Sequence, residues 1–163
     1  PYPGGAQLEK VALEGNSKAF AFPRAFKNKP DMKFSFSGLK TSLLYALKKM
    51  SESEIKDSFA DLCSSYQSAA LEQLVSKTKQ ALRNSNYKSL GLSGGVANNK
   101  QLRESLRETS QQESVLYMPA QSKHTGDNAT MVAFASIVDR KGCWPNLNQS
   151  LSFHATLGIQ EMP

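Results

Sequence analysis

Between residues 87 and 140 the chain alternates short apolar runs with amphipathic stretches, and this order constrains the fold most. The pattern predicts strands over 87–92 and 114–118, a helix over 97–109, and a nearly all-apolar helix over 126–140. Strand–helix–strand–helix order is typical of a parallel α/β unit, in which ligands bind beyond the carboxyl ends of the strands. We therefore expect an α/β fold with a sheet flanked by helices and a ligand crevice at that edge.

The turn after the first predicted strand carries a glycine pair, Gly94-Gly95, followed by Asn98 and Asn99. Glycine lets a ligand approach the backbone closely because no Cβ intervenes. A helix N-terminus just beyond would offer N–H groups to an anion. The pattern is typical of a nucleotide or phosphate cradle, and equally of a plain strand-to-helix turn with an Asn near the N-cap. Neither the P-loop pattern nor the dinucleotide fingerprint is present.

The turn after the second predicted strand is polar and contains His124 and Asp127. A carboxylate at the start of a helix can bind a metal ion or cap the helix, and the local pattern leaves both open. Because this turn and Gly94-Gly95 follow neighbouring parallel strands, we expect the two turns to face the same crevice.

The remaining sequence is mostly helical in pattern. The predicted elements are a helix over 6–14, strands over 19–22 and 32–36, a helix from an N-cap at Ser37 to about residue 50, and a helix over 52–84. Leu39 and Leu47 fall on one face of the helix that follows Ser37, and Phe59 and Leu62 continue an apolar stripe along the last helix. Lys40 beside the Ser37 turn is either a phosphate partner or a solvated side chain.

Composition permits several classes of partner but selects none. The 163 residues carry 20 Lys and Arg against 14 Asp and Glu, a formal charge of +6 that permits nucleic-acid binding without requiring it. Cys63 and Cys143 show neither metal spacing nor a disulfide framework, which favours a reducing cytoplasm. We expect no membrane segment, because no apolar run approaches the roughly 20 residues a bilayer requires. The start at Pro1, with no Met, suggests a piece of a longer protein.

Four segments occur in a fixed order and are more specific together than singly. They are Tyr2-Pro3-Gly4-Gly5, Phe34-Ser35-Phe36-Ser37-Gly38-Leu39-Lys40-Thr41, Ser93-Gly94-Gly95-Val96-Ala97-Asn98-Asn99 with Leu102-Arg103, and Asp127-Asn128-Ala129 with Met131. In this order they closely resemble the C-terminal half of the TsaD family, the tRNA N6-adenosine threonylcarbamoyltransferases, formerly described as O-sialoglycoprotein endopeptidases or glycoproteases.

The resemblance implies the actin-like ATPase (ribonuclease H-like) fold, which has two lobes around a ligand cleft. Residues 1–140 would form the second lobe, with a helical insertion at about 37–86, and residues 141–163 a tail. The implied activity moves a threonylcarbamoyl group from threonylcarbamoyl-adenylate (threonylcarbamoyl-AMP) to N6 of the adenosine beside the tRNA anticodon. The implied partners are tRNA and the bacterial proteins TsaB and TsaE, in the cytoplasm.

The resemblance also assigns site residues by position. Gly5 and Asn99 match adenylate contacts, Gly94 and Gly95 line the same site, and Asp127 matches a ligand of one divalent metal ion, iron or zinc. The implied nucleotide ligand is threonylcarbamoyl-AMP, or ATP or AMP. No residue of the chain is assigned a catalytic role.

Two departures from the family pattern limit this assignment. Thr125-Gly126 stands where the family has Cys-Thr, and we expect this change to loosen the loop without removing the metal ligand at Asp127. The family's His-x-x-x-His metal pair and an upstream Asp are absent from the sequence. We therefore expect an isolated chain to be inactive, to bind adenylate and metal weakly, and to self-associate through an uncovered apolar interlobe face.

Two other functions remain open from the residues. One is a nucleotide phosphohydrolase or sugar-kinase-like enzyme of the same fold, and the other is a non-catalytic interaction module built on the helices of residues 37–84. The older protease description has no support, because the sequence lacks both a Gly-x-Ser-x-Gly elbow and a zinc-protease motif.

Overall fold

A computed structural model of the chain describes residues 4–27 and 29–126. Its elements in chain order are α1 (Gly4–Ala12), α2 (Ser37–Lys48), α3 (Glu52–Asp57), α4 (Phe59–Asn84), β1 (Ser89–Leu92), α5 (Lys100–Gln112) and β2 (Leu116–Pro119). The predicted helix over 126–140, the tail, Cys143 and Asp127 lie outside the described residues. None of the described helices is long and apolar enough to span a bilayer.

The strand–helix–strand part of the predicted parallel α/β unit is confirmed. β1 and β2 pair in parallel, with Ser89 opposite Leu116 and Leu92 opposite Pro119, and α5 makes the crossover between them. One face of this small sheet is covered by α5, whose Leu102 and Leu106 are almost fully buried. The described residues are therefore a mixed α/β structure with a two-stranded parallel sheet.

Helix α4 carries both hydrophobic clusters of the described residues. Its 26 residues, about 39 Å of helix, place Leu62 and Ala69 against α2 and Leu71 against α5 and the sheet. The prediction of one continuous helix over 52–84 is wrong, because the chain leaves helical geometry at Ser58 (φ −100°, ψ 10°). Phe59, placed on the buried stripe by its spacing, begins the new helix and is half exposed.

The short helix α3 has its own start signal. Ser51 accepts a hydrogen bond from the N–H of Glu54, and the Glu54 carboxylate accepts one from the N–H of Ser51. This reciprocal capping box satisfies two backbone donors that a helix start leaves without partners. Hydrogen bonding to Ser51 lowers the pKa of Glu54, so the cap favours the ionised carboxylate.

The strands predicted over 19–22 and 32–36 do not form. Side chains of α4 bind this segment's backbone instead: the N–H of Phe20 donates to Ser65 Oγ at 3.1 Å, and Lys77 Nζ donates to the carbonyl of Lys29 at 2.7 Å. Gln80 Nε2 donates to the carbonyl of Pro30 at 2.9 Å. Phe20 in the first predicted strand, and Lys29 and Pro30 between the two, thus have backbone partners on α4 in place of a neighbouring strand.

Helix starts differ from prediction at two places. The residue preceding α2 is Phe36, without a side-chain cap, so the prediction of Ser37 as the N-cap is wrong. Helix α5 begins at Lys100 rather than near residue 97, because a 3-10 turn over Gly95–Asn98 intervenes. The buried positions Leu39 and Ala12 agree with the predicted inward faces.

We expect Ser114→Gly to stabilise the chain by about 0.5–1 kcal/mol. Ser114 follows the end of α5 with φ 55°, and the bonds Ser114 N to Gln111 O and Val115 N to Ser110 O form a Schellman motif. An L-residue in this left-handed conformation carries a steric cost of about 1–2 kcal/mol that glycine avoids. Denaturant unfolding measures the difference. Ser105→Gly, inside α5, is the matched control and is expected to destabilise by about 0.5 kcal/mol; equal signs for both variants would contradict the assignment.

We expect Glu72→Gln to lower stability at neutral pH but not in acid. Burial alone would raise the pKa of Glu72, but hydrogen bonds and charge from Lys27 and Arg24 outweigh it and lower the pKa. The contribution is therefore complete above the unfolded-state pKa of about 4.3 and is lost as pH falls through the lower folded-state pKa. The difference is about 1 kcal/mol or less, because the pair is accessible to solvent. Urea unfolding from neutral to acidic pH measures it, and a pH-independent difference would be the contrary result.

Candidate functional site

The turn after β1 combines a glycine at positive φ with a capping asparagine. Gly94 has φ 92°, a conformation that L side chains rarely adopt, so this position requires glycine. The 3-10 turn Gly95–Asn98 follows, and Asn99 then caps α5 by accepting a hydrogen bond from the N–H of Leu102 at 2.8 Å. The space beside both glycines is open although Asn99 caps α5. The cap therefore does not exclude a nucleotide or phosphate bound beside the glycines.

The N-terminus of α5 is already occupied. The N–H of Lys100 donates to Glu9 Oε1 at 2.7 Å, and the N–H of Leu102 donates to Asn99. The expectation that this helix start offers these N–H groups to an anion is therefore wrong, because the carboxylate of Glu9 holds one and would repel a second negative group. A bound phosphate would have to lie on the glycine side of the turn.

Asn99 is held on both sides of its amide. Its Nδ2 donates to Gln67 Oε1 at 3.1 Å, and Gln67 Nε2 donates to Gln101 Oε1 at 2.7 Å. Gln67 is a buried residue of α4, so the network ties the turn to the central helix. An amide has two N–H donors and an oxygen with two lone pairs, so Asn99 keeps one donor and one acceptor for a ligand.

The two turns at the carboxyl ends of the strands touch, so they lie together at one edge of the sheet. Asn98 Nδ2 donates to Thr125 Oγ1 at 2.6 Å, and the Thr125 hydroxyl donates to the carbonyl of Ser122 at 2.8 Å. Thr125 is only 4% exposed. The Thr125 hydroxyl is thus engaged twice, and the loosening expected of the loop from Thr125-Gly126 stays a prediction.

Arg103 joins the same two turns from below. Its guanidinium donates to the carbonyl of Ala97 in the first turn and to the carbonyl of Ala120 in the second, the latter at 2.7 Å. Tyr117 donates its hydroxyl to the carbonyl of Arg103 at 3.1 Å, and burial raises the pKa of Tyr117 against the opposing effect of Arg103 and Arg107. A planar guanidinium can engage two carbonyls at once, so Arg103 fixes the spacing of the turns.

Gly5 lies in the first turn of α1, not in a loop before it, and it is exposed. Glu9 follows one helical turn later and reaches the start of α5, where it accepts a hydrogen bond from the N–H of Lys100. Sequence reasoning missed Glu9. Its signal was present, because a carboxylate four residues after Gly5 falls on the same face of a helix.

The described residues do not supply a metal site. Within residues 4–27 and 29–126, no three His, Cys, Asp or Glu side chains lie close enough together to hold an ion. His124 is exposed at the end of a 3-10 turn. A lone carboxylate such as Asp127 cannot complete the three or four ligands that iron or zinc takes from proteins, so no chemical step is assigned to a metal here.

Cys63 lies in an apolar groove rather than at the two joined turns. The groove, about 490 Å³, lies between α1, α2 and α4, and Leu8, Leu43 and Tyr66 are among its lining residues. Burial raises the pKa of the Cys63 thiol, which keeps it protonated at neutral pH. The environment is that of a packed thiol and not of a nucleophile.

We expect Asn98 and Thr125 to be energetically coupled across the two turns. Asn98→Ala and Thr125→Val each remove one partner of the 2.6 Å bond, and a double-mutant cycle should give a coupling free energy of about 0.5–1.5 kcal/mol. Chemical unfolding of wild type, both single variants and the double variant measures it. Asn86→Ala with Thr125→Val is the control cycle and should be additive; additivity in the test cycle would contradict the link.

Comparison with known proteins identifies the family. The family model described as "TsaD: tRNA N6-adenosine threonylcarbamoyltransferase" matches residues 1–134. A curated relative from Anaeromyxobacter sp. (strain Fw109-5), named tRNA N6-adenosine threonylcarbamoyltransferase, is 44% identical over 83% of the chain and 40% of its own length. A protein of the same name from Fervidobacterium nodosum is 37% identical over 99% of the chain and 47% of its own length.

A third relative of that name, from Thermosipho melanesiensis, is 40% identical over 82% of the chain and 40% of its own length. The chain therefore spans somewhat less than half the length of these curated relatives. The family model covers most of the chain, and all four motif segments lie within the matched residues. This chain therefore belongs to the TsaD family of tRNA N6-adenosine threonylcarbamoyltransferases.

Proposed function

We propose that the chain contributes the adenylate-facing wall of an enzyme that transfers threonylcarbamoyl from threonylcarbamoyl-adenylate to N6 of an adenosine in tRNA. The observation that carries the proposal is the joining of two strand-to-helix turns by Asn98, Thr125 and Arg103 at the carboxyl ends of parallel strands. Ligands of open α/β sheets bind at this edge. The adenylate as the ligand is part of the proposal and is taken from the resemblance to the family.

In this proposal, Gly94 and Gly95 let the adenylate approach the backbone, since an added Cβ at either position would meet only open space. Asn99 would use its remaining N–H donor and lone pair to bind the nucleotide, and its cap on α5 holds the amide in one orientation. Gly5 would give a second close approach from the first turn of α1. A pre-oriented amide loses little entropy when the ligand binds.

The transfer is an acyl substitution. The N6 nitrogen forms a bond to the carbamoyl carbon, the bond from that carbon to the phosphate oxygen breaks, AMP leaves with the electron pair, and N6 loses a proton. The role proposed for this wall is to fix the adenylate so that the attack is close to intramolecular in character, a source of rate that needs no general base. No catalytic residue is assigned to the chain.

The rest of the site would come from polypeptide that aligns with the remaining length of the relatives. We propose that this part completes the two-lobed actin-like fold, with the present chain as its second lobe, and provides the further ligands of an iron or zinc ion beside Asp127. TsaB and TsaE are the proposed protein partners, and the cytoplasm is the proposed location. Without that part, the chain is proposed to be inactive.

Self-association of the isolated chain belongs to the same proposal. Val96, Leu116 and Met118 are each more than half exposed, and a parallel sheet is normally covered on both faces. Apolar side chains exposed along the strands and their turn favour contact with a second copy when no other lobe covers them.

We expect AMP to bind weakly at the joined turns and Asn99→Ser to abolish most of that binding. Serine keeps the N-cap, so stability should change by less than about 1 kcal/mol, while the amide contact is lost. Titration of the isotope-labelled chain with AMP, followed by nuclear magnetic resonance, should shift the amides of Gly94 and Gly95. Affinity should fall about tenfold in the variant, as for loss of one hydrogen bond to a charged or closely held ligand.

Asn86→Ser is the matched control, because Asn86 is exposed and bonded only to Lys88 among the interactions described for it. Unchanged glycine amides at saturating AMP would contradict the proposed wall. An equal loss of affinity in the control would show that the effect is not local to the turn.

A further inference from the structure

The outward face of α2 is basic and aromatic, and the site described above does not use it. Its residues are Lys40, Leu44, Tyr45, Lys48 and Lys49, all exposed; Lys33 and Phe34 lie just before the helix and are also exposed. These seven residues are called the lysine–aromatic face. Tyr45 is 58% exposed and Phe34 is 50% exposed, so two large rings stand in solvent.

Charge on this stretch is uniformly positive. Residues 32–50 contain four lysines and no Asp or Glu. Within the part of the chain that the structure describes, these lysines form neither an ion pair nor a side-chain hydrogen bond, whereas Lys27, Arg24 and Arg83 are paired with glutamates. Four unpaired ammonium groups on one short surface make a field that attracts a polyanion.

Helical spacing arranges the face in two rows. Lys40, Leu44 and Lys48 follow one another at intervals of four residues, and Thr41, Tyr45 and Lys49 form the adjacent row. Residues four apart on a helix are neighbours. Lys40 and Lys48 are therefore separated by about 12 Å along the axis, a span of three to four nucleotides at about 3.4 Å per nucleotide along a strand.

A shallow groove runs beside the second row. It is lined by small polar residues, Ser37, Gly38, Thr41 and Ser42, with Tyr45 and Lys49 at its far end. Small side chains on the floor leave room for a sugar–phosphate backbone, while the ring of Tyr45 offers a flat surface at the rim. Lysines interleaved with exposed aromatic rings are the usual composition of surfaces that bind single-stranded nucleic acid.

Packing does not account for these exposed side chains. The opposite face of α2 makes the helix's contacts with α4 through Leu39, Leu43 and Leu47. Phe36 packs against the same cluster, and Phe34 stacks on Phe36 with ring centroids 6.5 Å apart. The ring of Phe34 is therefore supported by Phe36, and the rings of both Phe34 and Tyr45 remain at least half exposed.

We propose that the lysine–aromatic face of α2 binds tRNA, with the lysines on phosphates and the ring of Tyr45 stacked on an unpaired base. The inference rests on the proposed function, because that function makes tRNA the RNA substrate. It adds the surface on which the substrate docks, built from residues other than those of the adenylate wall.

The test measures tRNA affinity of the full chain by fluorescence anisotropy with an unmodified transcript from about 50 to 200 mM salt. The test variant changes Lys33, Lys40, Lys48 and Lys49 to Ala, and the control changes Lys10, Lys18, Lys56 and Lys88 to Ala. Each variant lowers the formal charge of +6 by four.

We expect the test variant to bind tRNA at least about tenfold more weakly. The slope of log affinity against log salt concentration should be shallower by about 2–3, since each phosphate contact contributes about 0.7. The control should stay within about twofold to threefold, set by the general field.

A second comparison isolates the ring. Tyr45→Ala should weaken binding about tenfold and Tyr45→Phe should retain it, as expected for stacking. Tyr87→Ala is the control, because Tyr87 is 57% exposed on another part of the surface. Circular dichroism confirms that each variant folds; were Tyr45→Ala unfolded, Tyr45→Ser and the lysine comparison would replace it.

Three results would overturn the surface. They are equal losses in the test and control variants, no loss in either, and competition by polyglutamate as effective as by tRNA. Absence of tRNA binding by the wild-type chain would overturn it as well. The AMP titration tests the proposed function separately. If the amides of Gly94 and Gly95 shift with AMP but the lysine and Tyr45 variants bind tRNA as well as the wild type, only the tRNA surface is rejected.

Discussion

The parallel pairing of β1 with β2 is the constraint from which the site follows. A parallel pair requires a crossover, and α5 makes it, so both strands end at the same edge of the sheet. The turn after β1 and the turn after β2 therefore lie at the same edge of the sheet. Arg103 lies on the crossover helix itself and donates to a carbonyl in each turn, so the element that forces the turns together also fixes their spacing.

Much of this edge could be predicted from the sequence, because strand–helix alternation is a strong local signal. The glycine pair, the burial of Leu102 and Leu106 and the proximity of the two turns all follow from the periodicity and the parallel order. The start of α5 could not be predicted. Gly95–Asn98 forms a separate turn because Asn99 is the N-cap of α5. The sequence does not tell which of the neighbouring residues Asn98 and Asn99 takes the N-cap position.

The segment between α1 and α2 shows a different limit of prediction. Alternating apolar residues indicated strands, yet three backbone groups of this segment bond instead to Ser65, Lys77 and Gln80 of α4. Long-range side-chain partners of this kind leave no local pattern. They also explain why α4 buries polar residues such as Lys77, although Gln73 is buried with neither amide atom bonded, at a cost of about 1–3 kcal/mol.

The motifs of the candidate site do not by themselves tell what the turn after β1 can bind, because Glu9, which lies outside them, places a carboxylate at the start of α5. A bare helix start would favour a phosphate at the first N–H groups of α5, but the carboxylate of Glu9 already accepts from Lys100. Negative charge is therefore already placed on one side of Asn99, and the open side is that of Gly94 and Gly95. A nucleotide bound here would keep its phosphate near the glycines and present its less charged part to the amide of Asn99. In the proposed site, the capping network would therefore orient the adenylate as well as stabilise the helix.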